Sequence, residues 1–273
     1  MSRRRNAGER WRDQPGPIAP RRAALLCAGL CLASAGRAAA QTDFQVWGSF
    51  SFEKLATARR SYGLEIEGKD LVARPPGADG WAALEVSPNA TLVVAHWFDA
   101  TGELYSAYTK QSDRNNSYEF TPRIGARIHL LSRDLPALLD RGASLERRPR
   151  HRVVIEDHLR LELRTLFYNN GSPTSSYWRL RNRVSFDYPL NRANITEDGA
   201  RYVAADWELF LPLNGDASER YVNKERFRFG FGWRQSLRWR YEGLYVVEHS
   251  RKAGSADFTI ADAALEVRVK RVF

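Results

Sequence analysis

The sequence lacks the usual markers of several protein classes. It has only two cysteines, Cys27 and Cys31, and both fall in the first 40 of its 273 residues. Beyond residue 40 there is no thiol, which rules out a disulfide or a cysteine-ligated metal there. Neither cysteine sits in the small-residue context of a lipoprotein acylation site, so no lipid anchor is expected. No run of about 20 apolar residues exists, as a membrane-crossing helix would need. That absence leaves open a barrel, whose strands are apolar on one side only. Excess charge is also scarce. The formal value of +10 falls to +4 once residues 1–40, with eight arginines and two acids, are set aside. An excess that small argues against a nucleic-acid partner. Motifs of hydrolytic chemistry are missing: there is no Gly-x-Ser-x-Gly and no His-Glu-x-x-His. No catalytic residue, metal ligand or cofactor site is assigned.

The first 40 residues have the layout of a secretory leader. Basic residues precede the apolar stretch Ala23 to Gly36, and Arg37-Ala38-Ala39-Ala40 follows as a small-residue cleavage site. Residues 1–40 are therefore expected to be a cleaved signal peptide for the Sec pathway, and residues 41–273 one mature domain. Arg21-Arg22 alone makes a poor twin-arginine signal, because Ala-Ala-Leu-Leu follows it.

In the remainder, apolar and polar residues alternate over many short segments. In YWRLRNRVSFDYPL, Arg179, Arg181, Arg183, Ser185 and Asp187 oppose Trp178, Leu180, Val184, Phe186 and Tyr188. In HRVVIEDHLRLELRTLFY, Glu156, His158, Arg160, Glu162 and Arg164 oppose Ile155, Leu159, Leu161, Leu163 and Phe167. RFRFGFGWR sets Arg226, Arg228 and Arg234 against Phe227, Phe229, Phe231 and Trp233. Such period-2 patterning means strands. A soluble sandwich also alternates, but rows of large aromatics opposite rows of charge suit a lipid-facing wall around a polar lumen. Orientation follows from cost. An arginine facing lipid at the midplane costs about 2–4 kcal/mol, so the arginine rows face inward. The fold expected is all-β: a single antiparallel transmembrane β-barrel of a Gram-negative outer membrane. Eleven segments are recognisable, with Ser87-Pro88-Asn89 read as a turn. Because single-chain bacterial barrels have an even count, twelve strands are expected, with ten as the alternative. Connection 132–150, with Leu135-Pro136-Ala137-Leu138-Leu139, offers a turn of helix or a small plug.

The inward set comprises Glu65, Glu67, Lys69, Glu156, Arg160, Glu162, Arg164, Arg179, Arg181, Arg183, Asp206, Glu208, Arg226, Arg228, Arg238, Arg240, Glu242, Arg268 and Lys270. Arginines outnumber acids in it. An open lumen of that kind would be a small passive channel for an anionic solute. The alternative is a non-transporting structural or assembly barrel whose charges pair across strands and fill the lumen. A hydrolase, with His158 or His249 as base, is the third reading. Asn194-Ile195-Thr196 matches a glycosylation acceptor by pattern only.

Five strings, DFQVWGSFS from residue 43, RLELR from 160, RLRNRVSFDYPL from 179, DWELFLPLN from 206 and RFRFGFGW from 226, resemble in order the uncharacterised bacterial outer-membrane family called domain of unknown function 2490. The resemblance extends over most of residues 43–273 and departs at Lys224-Glu225-Arg226 and Asp206-Trp207-Glu208. It implies an outer-membrane barrel and no known activity. Bacterial barrels of this class commonly end on an aromatic, so Phe273 is the expected assembly signal. The partners implied are membrane lipids, periplasmic chaperones and the barrel-assembly machinery, around a monomeric barrel.

Overall fold

The computed structural model describes residues 43–73, 80–111, 116–131, 152–214, 224–250 and 259–273. The expected leader, residues 1–40, lies outside them, as does connection 132–150. The described residues form β1 (Asp43–Thr57), β2 (Arg60–Ala73), β3 (Trp81–Ala95), β4 (Phe98–Gln111), β5 (Ser117–Leu131), β6 (Val154–Tyr168), β7 (Ser175–Pro189), β8 (Ala200–Pro212), β9 (Lys224–Ser236), β10 (Trp239–Ser250) and β11 (Thr259–Val272). Each strand pairs with its chain neighbours, and β1 pairs with β11 to close a barrel.

The expected count of twelve strands is corrected to eleven. In an up-and-down barrel an odd count makes the first and last strands run the same way. The closing seam is accordingly parallel, from Asp43↔Asp262 to Glu53↔Val272, whereas every other pairing is antiparallel. A parallel ladder closes a sheet as completely as an antiparallel one and leaves no edge. The backbone N–H of Phe273 continues the seam by donating to the Glu53 carbonyl at 2.8 Å.

A second correction concerns Ser87-Pro88-Asn89, which lies inside β3 and not in a turn. The β3–β4 register is the same on both sides of it, Val86↔Ser106 and Asn89↔Glu103. Pro88 has no N–H to donate, yet the strand runs straight through. Asn89 Nδ2 donates to the Ser87 carbonyl at 3.2 Å and gives that oxygen a local partner. The segment Gly102 to Lys110 belongs to β4.

Alternation sorts the side chains as their chemistry demands. Ile124, Val94, Leu104, Phe231, Trp233 and Val267 stand exposed on the outer surface, and Ile124 is 67% exposed. Outside a water-soluble fold this is the normal state of a lipid-facing wall. The inner parity carries the charges. One polar pair faces outward: Asn182 Nδ2 donates to Asp157 Oδ1 at 2.5 Å. Arg271, also outward, lies against the Trp239 and Phe273 rings, 4.9 and 4.6 Å from their centroids.

Candidate functional site: an ion-paired lumen

The inner wall is built by the polar parity of all eleven strands around a cavity of about 810 Å³. Of the residues expected to face inward, all but Arg238 occupy inward strand positions. Arg238 is corrected: it lies exposed in the 237–238 turn, where it lines a second, smaller cavity of about 80 Å³ at that mouth. A tight two-residue connection leaves it no strand position from which to point inward.

Two glutamates organise the β6–β9 wall. Glu162 is fully buried, with Arg179 Nη2 at 2.5 Å, Arg123 Nε at 3.1 Å and Arg181 Nη1 at 3.6 Å. Glu208, also fully buried, is shared by Arg181 Nε at 2.5 Å, Arg160 Nη2 at 3.0 Å, Arg228 Nη1 at 3.3 Å and Arg226 Nη1 at 3.4 Å. Arg228 further binds Asp206 at 2.7 Å and Glu266 at 3.1 Å, while Arg268 binds Glu266 at 2.6 Å and Glu242 at 3.6 Å. Arg164 Nε donates to Glu119 at 2.8 Å. Several pairs join strands that are not neighbours: Arg160 of β6 with Glu103 of β4 at 3.5 Å, and Arg240 of β10 with Asp187 of β7 at 3.2 Å. Bridges of that kind reach over one or two intervening strands. Guanidinium groups also stack on two aromatics of the inner parity. Arg179, Arg181 and Arg226 lie 4.9–5.4 Å from Phe210, and Arg226 lies 4.9 Å from Trp47.

Residues on β1–β5 complete the balance, and beyond Glu65, Glu67 and Lys69 the sequence reading left them out of the inward set. Glu53, Glu65, Glu67, Glu85, Glu103 and Glu119 line the cavity, with Lys69, Arg123 and Arg127 as the cations on those strands. Lys69 Nζ is 2.6 Å from Glu85 and 3.6 Å from Glu67. The cavity wall thus carries nearly equal numbers of acids and bases. The expected arginine excess is corrected accordingly. The signal was present in the parity of 117–131, where Glu119 and Arg123 alternate with apolar neighbours, and in Phe210, which shares parity with Asp206 and Glu208.

The β7–β8 connection, 190–199, was not expected to enter the lumen. Ile195 is fully buried and packs with the inward residues Val154, Tyr202, Ala204 and Leu244. Its carbonyl accepts from Arg234 Nε at 2.7 Å. The neighbours that made a glycosylation pattern build the turn instead. Asn194 Oδ1 accepts from the Thr196 N–H at 3.0 Å, and Asn194 Nδ2 donates to Glu197 at 3.0 Å. Gly199 leaves the turn at φ 76°, a region that favours glycine. Tyr202 fits beside this plug because β9 carries Gly232 there. A Cβ on Gly232 would fall inside the Tyr202 ring. The Tyr202 hydroxyl donates to Glu242 at 2.8 Å.

Across from the plug, six residues line both cavities: Glu53, Thr91, Arg127, Glu156, Arg240 and Lys270. They form a collar between them. Lys270 Nζ is 2.6 Å from Glu53, and Arg127 Nε is 4.0 Å from Glu156. His129 stands behind the collar, 2.9 Å from both Glu156 and Asp99.

The histidines weighed as bases are held elsewhere. His158 Nε2 is 3.2 Å from Thr101 Oγ1, but its Nδ1 is buried without a partner among the described residues, so no acid orients the ring. His249 faces outward, 3.4 Å from Glu225 and edge-on to Phe227.

Residues 140–259 match the sequence model of a family described as "Protein of unknown function (DUF2490)". Over that segment the chain is similar to DUF2490 proteins. The match is narrower than the resemblance, which also took in strings on β1 and beyond. In this barrel the DUF2490 segment holds β6 to β10 and the plug, with both organising glutamates. No curated protein matches the chain. Among solved structures, LpxR from Salmonella typhimurium superposes with a TM-score of 0.45 at 10% identity, covering 82% of this chain and 87% of that one. A likeness that distant carries neither fold nor chemistry across.

Proposed function

We propose that this protein is a barrel of the Gram-negative outer membrane whose lumen is a closed, charge-balanced compartment and not an open pore. The outward wall of large apolar side chains supports the membrane location. In this reading the mouth with the short turns 58–59, 96–97 and 237–238 faces the periplasm. Phe273 lies at that same mouth, as the assembly signal should. Connection 169–174, at the opposite mouth, then faces outside.

One observation carries the closure. At the periplasmic mouth, Ile195 is fully buried among inward side chains, while the Glu53–Lys270 and Arg127–Glu156 pairs separate the two cavities. Ion pairs between non-neighbouring strands, such as Arg160–Glu103 and Arg240–Asp187, narrow the section above. The near balance of acids and bases also argues against strong anion selection. Purified protein in planar bilayers should show no steady open-channel current. A stable, anion-selective conductance would overturn the closed reading and restore the passive channel.

A further inference from the structure

Among the described residues, nearly every charge lining the large cavity has an opposite charge within ion-pair distance. Two do not. Arg183 on β7 and Glu65 on β2 line the cavity with no hydrogen bond or ion pair of their own among the described residues, although Asp206 and Glu208 attract Arg183 from beyond ion-pair distance. Local geometry explains both. The acid across the ladder from Arg183 is Glu208, already shared by four other arginines. Its other ladder partner is His158, whose Nδ1 has no partner either. Glu65 lies opposite Ser51 and Ser87, neither of which is a cation. The nearest lysine along its strand, Lys69, is held by Glu85 and Glu67.

The two charges face each other. β2 and β7 stand on opposite sides of the ring, five strands apart one way and six the other. Ladders in a tilted barrel climb as they go round. Followed from Glu65 through Ser87, Tyr105 and Thr121, the ladder reaches Tyr177 of β7. Followed the other way, through Ser51, Lys270, Arg240, Arg234 and Ala200, it reaches β7 just beyond Pro189. Arg183 lies about midway between those two points, which places it level with Glu65 across the lumen. The space between holds far more than one water, whose share of liquid volume is about 30 Å³.

We propose that the lumen binds a small zwitterion, with its carboxylate on Arg183 and its ammonium on Glu65. A guanidinium offers a carboxylate two parallel N–H donors, and a glutamate accepts from an ammonium. A wall with one spare charge of each sign, and otherwise balanced, selects a ligand that is dipolar but neutral overall. A purely anionic or cationic solute would satisfy one spare charge and leave the other alone. Because the groups start from opposite walls, the ligand's charges stand several bonds apart. Entry is from the outside, where the cavity reaches Trp81, Thr109 and Lys224.

The test is calorimetric titration of the folded protein in dodecyl maltoside, a non-ionic detergent, with glycine, 4-aminobutanoate and 6-aminohexanoate. Butanoate and butylamine serve as single-charge probes. At least one of the longer zwitterions should bind saturably, and at least tenfold more tightly than either single-charge probe. Glu65→Gln and Arg183→Gln should each weaken it at least tenfold. Neither variant removes an ion pair, so both should keep the wild-type circular dichroism and heat-modifiable migration. The proposal rests on the lumen being a solute compartment, and the two fail separately. A folded protein giving no saturable heat with any zwitterion, or variants binding like wild type, overturns the site alone. Wild-type protein without β-barrel dichroism or heat-modifiability overturns the barrel as well.

Discussion

The two halves of the barrel solve the same electrostatic problem differently. On β6 to β9, arginines crowd around two fully buried glutamates, Glu162 and Glu208, so that each acid serves three or four cations. On β1 to β4, glutamates predominate and Lys69 is the one cation lining the cavity, held by two of them. One half is a network in which every member depends on a shared centre. The other is a looser wall of local pairs with a spare carboxylate. The DUF2490 match, residues 140–259, falls on the networked half. Removal of one partner from a buried network leaves uncompensated charge, whereas a local pair can be lost with less consequence.

Substitutions can break or sharpen that contrast. The largest effect is expected at Glu208. Glu208→Gln removes the shared charge beneath Arg160, Arg181, Arg226 and Arg228, and a loss of about 3–5 kcal/mol is expected. Denaturant titration in micelles, followed by tryptophan fluorescence, measures it. Glu85→Gln on the other half leaves Lys69 with Glu67 and should cost less than Glu208→Gln, which strands four arginines at once. Equal losses would erase the distinction between the halves.

Next is the plug. Ile195→Ala empties a fully buried site among Val154, Tyr202, Ala204 and Leu244, which should cost about 2–4 kcal/mol in the same titration. Gly232→Ala comes third. Its methyl would enter the Tyr202 ring, so the ring must shift and strain its bond to Glu242, at about 1–3 kcal/mol. Tyr202→Phe should not rescue that variant, because the clash is with the ring and not the hydroxyl. The smallest effect belongs to the spare charges. Arg183→Gln and Glu65→Gln should each change stability less than any substitution above, as neither side chain holds an ion pair.

Much of the fold could be read from alternation. The rows Phe227, Phe229, Phe231, Trp233 and Arg179, Arg181, Arg183 fix which face is which, because the cost of an outward arginine is lopsided. Pro88 misled because Ser-Pro-Asn carries the chemistry of a turn. The local preference is overridden by ladders that continue in register on both sides. The strand count misled because parity is a habit of the class and not a geometric need: β1 and β11 pair parallel. The lumen's balance escaped notice because Glu53, Glu85, Glu103 and Glu119 are spread over several strands, one or two to each, while the arginines come in rows. Ile195 was invisible for a plainer reason. A single isoleucine in a polar connection has no period, and its burial depends on where the turn built by Asn194 and Gly199 delivers it. Level pairing of Glu65 with Arg183 depends on the slant of the whole barrel, which no local string contains.

The proposed closure of the mouth beside Ile195 is tested most directly by planar-bilayer recording of the wild type beside a double variant, Ile195→Gly with Lys270→Gln. The wild type should give no steady current. Loss of the plug side chain together with the Glu53–Lys270 pair should produce discrete openings. A wild-type protein that conducts steadily, with a current the double variant does not raise, would contradict the closed lumen.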